Sequence, residues 1–244
     1  MMPENLIPET WNVPAVFKKR LGDRVGRQRV FEHAGQLLIV AHAPAQPDES
    51  TRQPRLFWKD GSGEWHATSK GSGLAALQNH INEFRDAVEH CDQLEDAATT
   101  AKEYFDVLDH VAPLKRTIEH FHQVLEEARR LAPDDRNLIN IRDQAYDVTR
   151  TAELLYDATR NGMEMAQTRR AEQQAEASME MARAAHRLNW LVAMFFPLAT
   201  ICGIFGMQFE HGFEHYQAPW PLIIVCAIGI LFGLILSTLV MRRR

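Results

Sequence analysis

Cysteine is scarce in this chain of 244 residues: Cys91, Cys202 and Cys226 stand far apart, with no Cys-x-x-Cys pair or other paired spacing. That excludes a disulfide framework and a zinc ribbon. Positive charge is also short. Lys and Arg number 27 against 32 Asp and Glu, a net charge of −5. No basic patch with interleaved aromatic residues occurs, so no nucleic-acid partner is expected. No nucleophile–base pair, phosphate loop or carboxylate dyad is found, and no enzymatic activity is expected. The N-terminus lacks the charged-then-apolar pattern of a signal peptide, so neither cleavage nor export is expected.

What is present is concentrated at one end. A mean hydropathy of −0.30 averages a very polar first three quarters with an apolar last quarter. Leu188 to Met207 is an almost wholly apolar run, and Leu222 to Val240 is interrupted only by Ser237 and Thr238. Each is long enough to cross ~30 Å of hydrocarbon as a helix. Arg183 and Arg187 precede the first run, Arg242, Arg243 and Arg244 close the second, and the connection holds no Lys or Arg. The positive-inside rule then predicts two spans, both termini cytoplasmic and the connection outside. The expected location is the inner (plasma) membrane, with the lipid bilayer as a partner.

Ahead of the spans, residues 1–20 read as a loose segment. Val30–His42 is β-rich around Gly35, and Leu56–Trp58 with Glu64–Ala67 flank the turn Lys-Asp-Gly-Ser-Gly, so two hairpins are predicted. From Ser72 the period becomes helical: Leu74, Leu77, Ile81, Phe84, Val88, Cys91 and Leu94, with Phe105 and Leu108 continuing the stripe. Pro113 either opens a new helix or kinks a continuing one. The segment Ala-Pro-Asp-Asp-Arg-Asn breaks the pattern, and Asp134 or Asp135 caps the next helix. Leu138, Ile141, Ala145, Val148, Ala152, Leu155, Thr159 and Gly162 then mark that helix as a long one. Residues 163–187 have high helix propensity and no proline, so it is expected to run directly into the first span. So polar a stalk needs neighbours, either earlier helices or copies of itself.

The first span breaks at Pro-Leu-Ala-Thr-Ile-Cys-Gly-Ile-Phe-Gly-Met-Gln-Phe-Glu, residues 197–210. This stretch resembles the signature of the CorA-type magnesium transporters, whose first span ends in Gly-Met-Asn; Gly206, Met207 and Gln208 occupy those positions. Pro197, Gly203, Phe205, Glu210, the short loop, the second span and the basic tail fit the same frame. The resemblance covers roughly 135–244. It implies a homopentamer in which five first spans line an axial pore, five second spans surround them, and cytoplasmic helices form a funnel. It also implies that the residue-208 amides ring the outer mouth and hold a hydrated cation through its water shell, as suits an ion that dehydrates reluctantly. Two departures stand out. Gln208 replaces Asn, adding one methylene, and Ala199 stands where the family often has a hydroxyl facing the pore. The implied pore stripe is Gln208, Gly203, Ala199, Phe196, Val192, Leu188 and Ala185, almost wholly apolar below the mouth, a wall suited to gating by dewetting.

The predicted fold class is therefore a mainly α membrane protein of CorA-like pentameric form. Residues 1–71 form a small β-containing part, 72–187 a cytoplasmic helical hairpin and stalk, and 188–208 the first transmembrane helix. Residues 209–219 form an external loop, 220–241 the second transmembrane helix and 242–244 a basic tail. Glu210 and Glu214 are expected to attract cations at the mouth, and His211 and His215, four apart, are a weak pair of metal ligands. Glu83, Asp86, Glu89, Asp92, Glu95 and Asp96 recur on one helical stretch with Glu103, Asp106 and Asp109. Asp92, Glu95 and Asp96 are candidates for a regulatory cation site, against the plainer reading of a solvated acidic face. No tightly bound cofactor is expected. The implied cargo is Mg²⁺ or another divalent cation, moved passively, and the shortened N-terminal part leaves a CorA-like effector or scaffold opened by a cytoplasmic signal as the alternative.

Overall fold

A computed structural model of the chain describes residues 6–22, 26–46, 52–69, 71, 73–205 and 220–242. Two compact units are distinguished, Met1–Thr168 and Arg169–Arg244.

The first unit is built around a four-stranded antiparallel meander in chain order: β1 (Arg29–His33), β2 (Gln36–His42), β3 (Pro54–Lys59) and β4 (Trp65–Ala67). Both predicted hairpins are present. The first closes on Ala34 (φ 50°) and Gly35 (φ 76°), a two-residue turn with left-handed backbone at both positions, the geometry that matches strand twist. The second is organised by Asp60, whose Oδ1 accepts from the Ser62 N–H, the Ser62 hydroxyl and the Glu64 N–H.

β2 is apolar at nearly every position, and the sheet is buried on both sides. Leu37, Ile39, Ala41 and Phe57 face the helical core, while Leu38, Val40, Leu56 and Trp58 face the other way. That second face corrects the expectation for residues 1–20. Residues 6–20 are not loose: Ile7, Val13 and Phe17 are buried against it, the last from a short helix α1 (Ala15–Arg20). A strand without polar alternation requires cover on both faces, and the N-terminal segment supplies it.

The first face is covered by α2 (Gly73–Ala97) and α3 (Ala101–Leu131). The predicted stripe is buried from Leu77 to Cys91, but it does not continue through Phe105, which is 60% exposed. The chain breaks at 98–100 because Thr100 starts a new helix with a capping box. Its hydroxyl accepts from the Glu103 N–H, and the Glu103 carboxylate accepts from the N–H groups of Thr99 and Thr100. The acidic residues therefore lie on two helices rather than one. Pro113 sits within α3 without ending it.

His80 shows how closed this core is. The residue is fully buried, Nδ1 lies 2.9 Å from Arg55 Nη1, and the ring makes T-shaped contacts with Phe84 and Phe121. Because the guanidinium can only donate, Nδ1 accepts and Nε2 carries the proton. Burial first, then the charge of Arg55, pushes the imidazole down to about 3.

The long helix α4 spans Arg136–Phe205. Asp135 caps it by accepting from the N–H groups of Asn137 and Leu138, and its other oxygen pairs with Lys59 Nζ at 2.6 Å. Leu138, Ile141, Ala145, Val148, Ala152, Leu155 and Thr159 are buried as the periodicity predicted. At Gly162 an added Cβ would lie 2.5 Å from the Tyr104 ring, so glycine allows the close approach of α3. Beyond that point, 164–185 are almost all exposed.

Candidate ion pathway

In the second unit α5 (Trp220–Arg242) packs antiparallel on the C-terminal part of α4. Two glycines make the contact. A Cβ at Gly229 would lie 3.2 Å from Leu198 Cδ1, and one at Gly233 only 2.8 Å from the Met194 carbonyl oxygen. Both glycines are buried. Small residues four apart let two backbones approach, and at Gly233 the approach is to backbone rather than to a side chain that could turn away. Sequence reasoning missed this pair, although the Gly-x-x-x-Gly spacing was there to be read.

The packing fixes which side of α4 is taken. Met194, Leu198 and Ile201 meet α5. Advancing ~100° per residue, Leu188, Val192, Phe196, Ala199 and Gly203 fall on the opposite side. All five are exposed in the single chain, with Leu188 at 61%, Val192 at 52% and Phe196 at 67%. Ala185 is exposed too. Among the described residues, Ala185 to Gly203 of the implied stripe thus share one face of the helix, apolar throughout. Thr200 adds no free hydroxyl there, because its Oγ1 donates to the Phe196 carbonyl at 2.8 Å. α4 contains a stretch long and apolar enough to cross a membrane, none of it buried within the chain. In α5 the stretch Ile223–Ile235 is apolar but shorter among the described residues. Gly206, Met207, Gln208, Glu210, His211, Glu214 and His215 lie outside the described residues.

The acidic candidates are placed differently from one another. Asp92, Glu95 and Asp96 lie in the last two turns of α2. Asp92 lines a cleft of about 260 Å³ with Glu89 and, from α4, Asp147, but Glu95 and Asp96 do not. Partial burial, then the charges of Asp96 and Asp92, raise the Glu95 carboxyl above its usual range. Among the described residues, the acid and imidazole groups that converge within 4.8 Å of one another are instead Asp60, Glu64 and His66. There Asp60 is already engaged: the Ser62 hydroxyl, then His66, hold its carboxyl well below the usual range. That cluster is accounted for by the hairpin turn.

The family model described as CorA-like Mg2+ transporter protein matches residues 73–243, well over half of the chain. The chain belongs to this CorA-like family. Members of the family are channels or transporters rather than enzymes, so membership assigns divalent cation transport in general and makes the chain a membrane protein. No curated protein sequence matches it. Among solved structures, the full-length CmaX protein is similar with a TM-score of 0.61 at 11% identity, over 96% of this chain and 83% of that one. A structure titled the complete structure of CorA magnesium transporter from Methanocaldococcus jannaschii gives a TM-score of 0.39 at 16% identity, over 94% of this chain and 84% of that one. The likeness to CmaX shows a shared fold: predominantly helical, with a small N-terminal sheet and a long helix.

Proposed function

We propose that this CorA-like chain assembles as a homopentamer of two-span subunits, with both termini cytoplasmic, and conducts divalent cations passively, Mg²⁺ first, through an axial pore. The observation that carries the reading is the free apolar face of α4. α5 occupies one side of the helix, while Leu188, Val192, Phe196, Ala199 and Gly203 stand uncovered on the other. Five such faces turned inward make a pore wall that no polar side chain bridges. Water leaves so narrow an apolar wall readily, so the wall closes when dry and conducts when widened. At the outer end the amides of Gln208 accept hydrogen bonds from the water shell of the ion, which Mg²⁺ gives up reluctantly. Glu210 and Glu214 concentrate cations around that mouth. The carboxylates of Asp92, Glu95 and Asp96 have no assigned part.

Cation uptake into liposomes tests the reading, with the mass of the complex in nanodiscs confirming five chains for each variant. Gln208→Asn restores the family's triplet and keeps or raises Mg²⁺ flux. Gln208→Ala removes the acceptor. Loss of one hydrogen bond to the ion's water shell in each subunit, about 0.5–1.5 kcal/mol apiece, lowers flux strongly. Gln208→Glu sets carboxylates in one ring, which binds the divalent ion tightly and slows its exit. Unchanged flux in all three variants while they remain pentameric takes Gln208 off the ion path and leaves the effector or scaffold reading; a stable monomer overturns the pore outright.

A further inference from the structure

The first unit holds a cleft of about 500 Å³ between the end of β2 with the chain just after it, the middle of α3, and Tyr156 of α4. This volume is within the range of small-molecule sites. Its lining mixes basic residues, His42, Arg52 and Arg116, with apolar and aromatic ones, Phe105, Pro113 and Tyr156. Asp109 is the single carboxylate in the lining.

Three observations make this more than a surface depression. His42 is 1% exposed, and apart from a contact with the Gly26 backbone its ring has no hydrogen-bond partner, so at least one ring nitrogen is unpaired. Buried imidazole nitrogens left unpaired are rare and costly, and they mark a place where a partner is missing. Neither Arg52 nor Arg116 is in an ion pair among the described residues, although other basic residues packed around this sheet are paired, as in Arg55 with Glu83 and Lys59 with Asp135. Finally, burial first and then the charge of Arg52 disfavour protonation of His42, while a hydrogen bond with the Gly26 backbone favours it. Two guanidinium groups without an ion pair, an unpaired imidazole nitrogen and apolar lining residues together fit a ligand with an anionic head and an apolar body.

We propose that this cleft binds a small organic anion, a carboxylate or phosphate carried on an aromatic or aliphatic body, with Arg116, Arg52 and His42 at the head and Phe105 and Tyr156 against the body. The site lies wholly in the first unit and involves no residue of the ion pathway, so it stands or falls apart from the transport reading.

The test is calorimetry on the full chain in detergent without divalent cations, with phenyl phosphate as the probe and inorganic phosphate and phenol as its two halves. Phenyl phosphate is expected to bind saturably at one site per chain, with each half at least tenfold weaker. Arg116 is exposed, so Arg116→Ala leaves the core intact. Loss of its charge-assisted contact weakens phenyl phosphate about tenfold, and Arg116→Lys restores part of the affinity. Arg130→Ala, an exposed change on the same helix outside the cleft, leaves binding unchanged. Absence of saturable binding, equal affinity in Arg116→Ala, or equal loss in Arg130→Ala overturns the proposal.

Discussion

The two units use apolar residues in opposite ways. In Met1–Thr168 the large apolar side chains are turned inward: Phe17, Phe57, Phe84 and Phe121 are completely buried, and both faces of β2 are covered. In Arg169–Arg244 they are turned outward, with Phe196, Trp220, Leu231 and Phe232 each more than half exposed. A unit that closes its own core needs only water around it. A unit whose close internal contact is glycine against backbone leaves the rest of its apolar surface to be covered from outside, as a bilayer covers it. The contrast explains why the mean hydropathy of the whole chain describes neither unit.

The largest effect that would break this contrast is expected at Gly233. Gly233→Ile puts a branched side chain where even a Cβ meets the Met194 carbonyl at 2.8 Å. Separation of α5 from α4 is expected at the upper end of the ~1–3 kcal/mol typical of overpacking. Thermal melting of the detergent-solubilised chain should show the second unit failing while the transition of the first unit stays in place. A shift of both transitions would mean that the two units do not melt independently.

An effect that is smaller down to pH 5, confined to the first unit, comes from His80. Its folded pKa of about 3 lies below the ordinary imidazole value of 6.5. Below pH 6.5 the unfolded chain therefore holds a proton that the folded chain does not. Stability falls by about 1.4 kcal/mol per pH unit as the pH drops from there toward 3. His80→Phe keeps the aromatic packing, leaves Arg55 paired with Glu83, and removes this dependence. Denaturant melts at pH 7, 6 and 5 read the slope, and an unchanged slope would sink the assignment.

The smallest is local. Thr100→Ala removes the cap of α3 and costs about 1 kcal/mol by denaturant melting. The backbone of Thr99, then that of Thr100, holds the Glu103 carboxyl at about 2. Its share of the cap is therefore present above the ordinary carboxylate range and fades as the pH falls toward 2.

Much of the helical part is legible in the sequence because its period is clean. Leu138 to Gly162 mark a single face of α4, and they are the residues packed on the core or the neighbouring α3. The apolar stripe from Leu188 to Gly203 is equally legible as one face. What decides that it is the free face is the contact of Gly229 and Gly233 with α4, which no pattern within α4 contains. The break between α2 and α3 is hard to see because Ala97–Thr100 holds neither Pro nor Gly, although Thr100 and Glu103 carry the capping-box spacing. The N-terminal segment reads as loose because its apolar residues, Ile7, Val13 and Phe17, follow no period; only the unbroken apolar run of β2 implies that something must cover it. The basic cleft draws on His42, Arg116 and Tyr156, far apart in the chain, and nothing short of the fold brings them together.

The order of strands has a consequence for biosynthesis. Because the sheet runs β1-β2-β3-β4 in chain order and is closed by the helices after it, its pairings are local and form quickly. The segment carrying Ile7 and Phe17 emerges before β2 and β3, yet it has nothing to dock on until they follow. Every contact of the first unit is then available by Thr168, before the apolar face beginning at Leu188 has been made. The growing chain can thus finish its water-facing part first, and the segment that needs lipid is exposed only when a folded domain already precedes it.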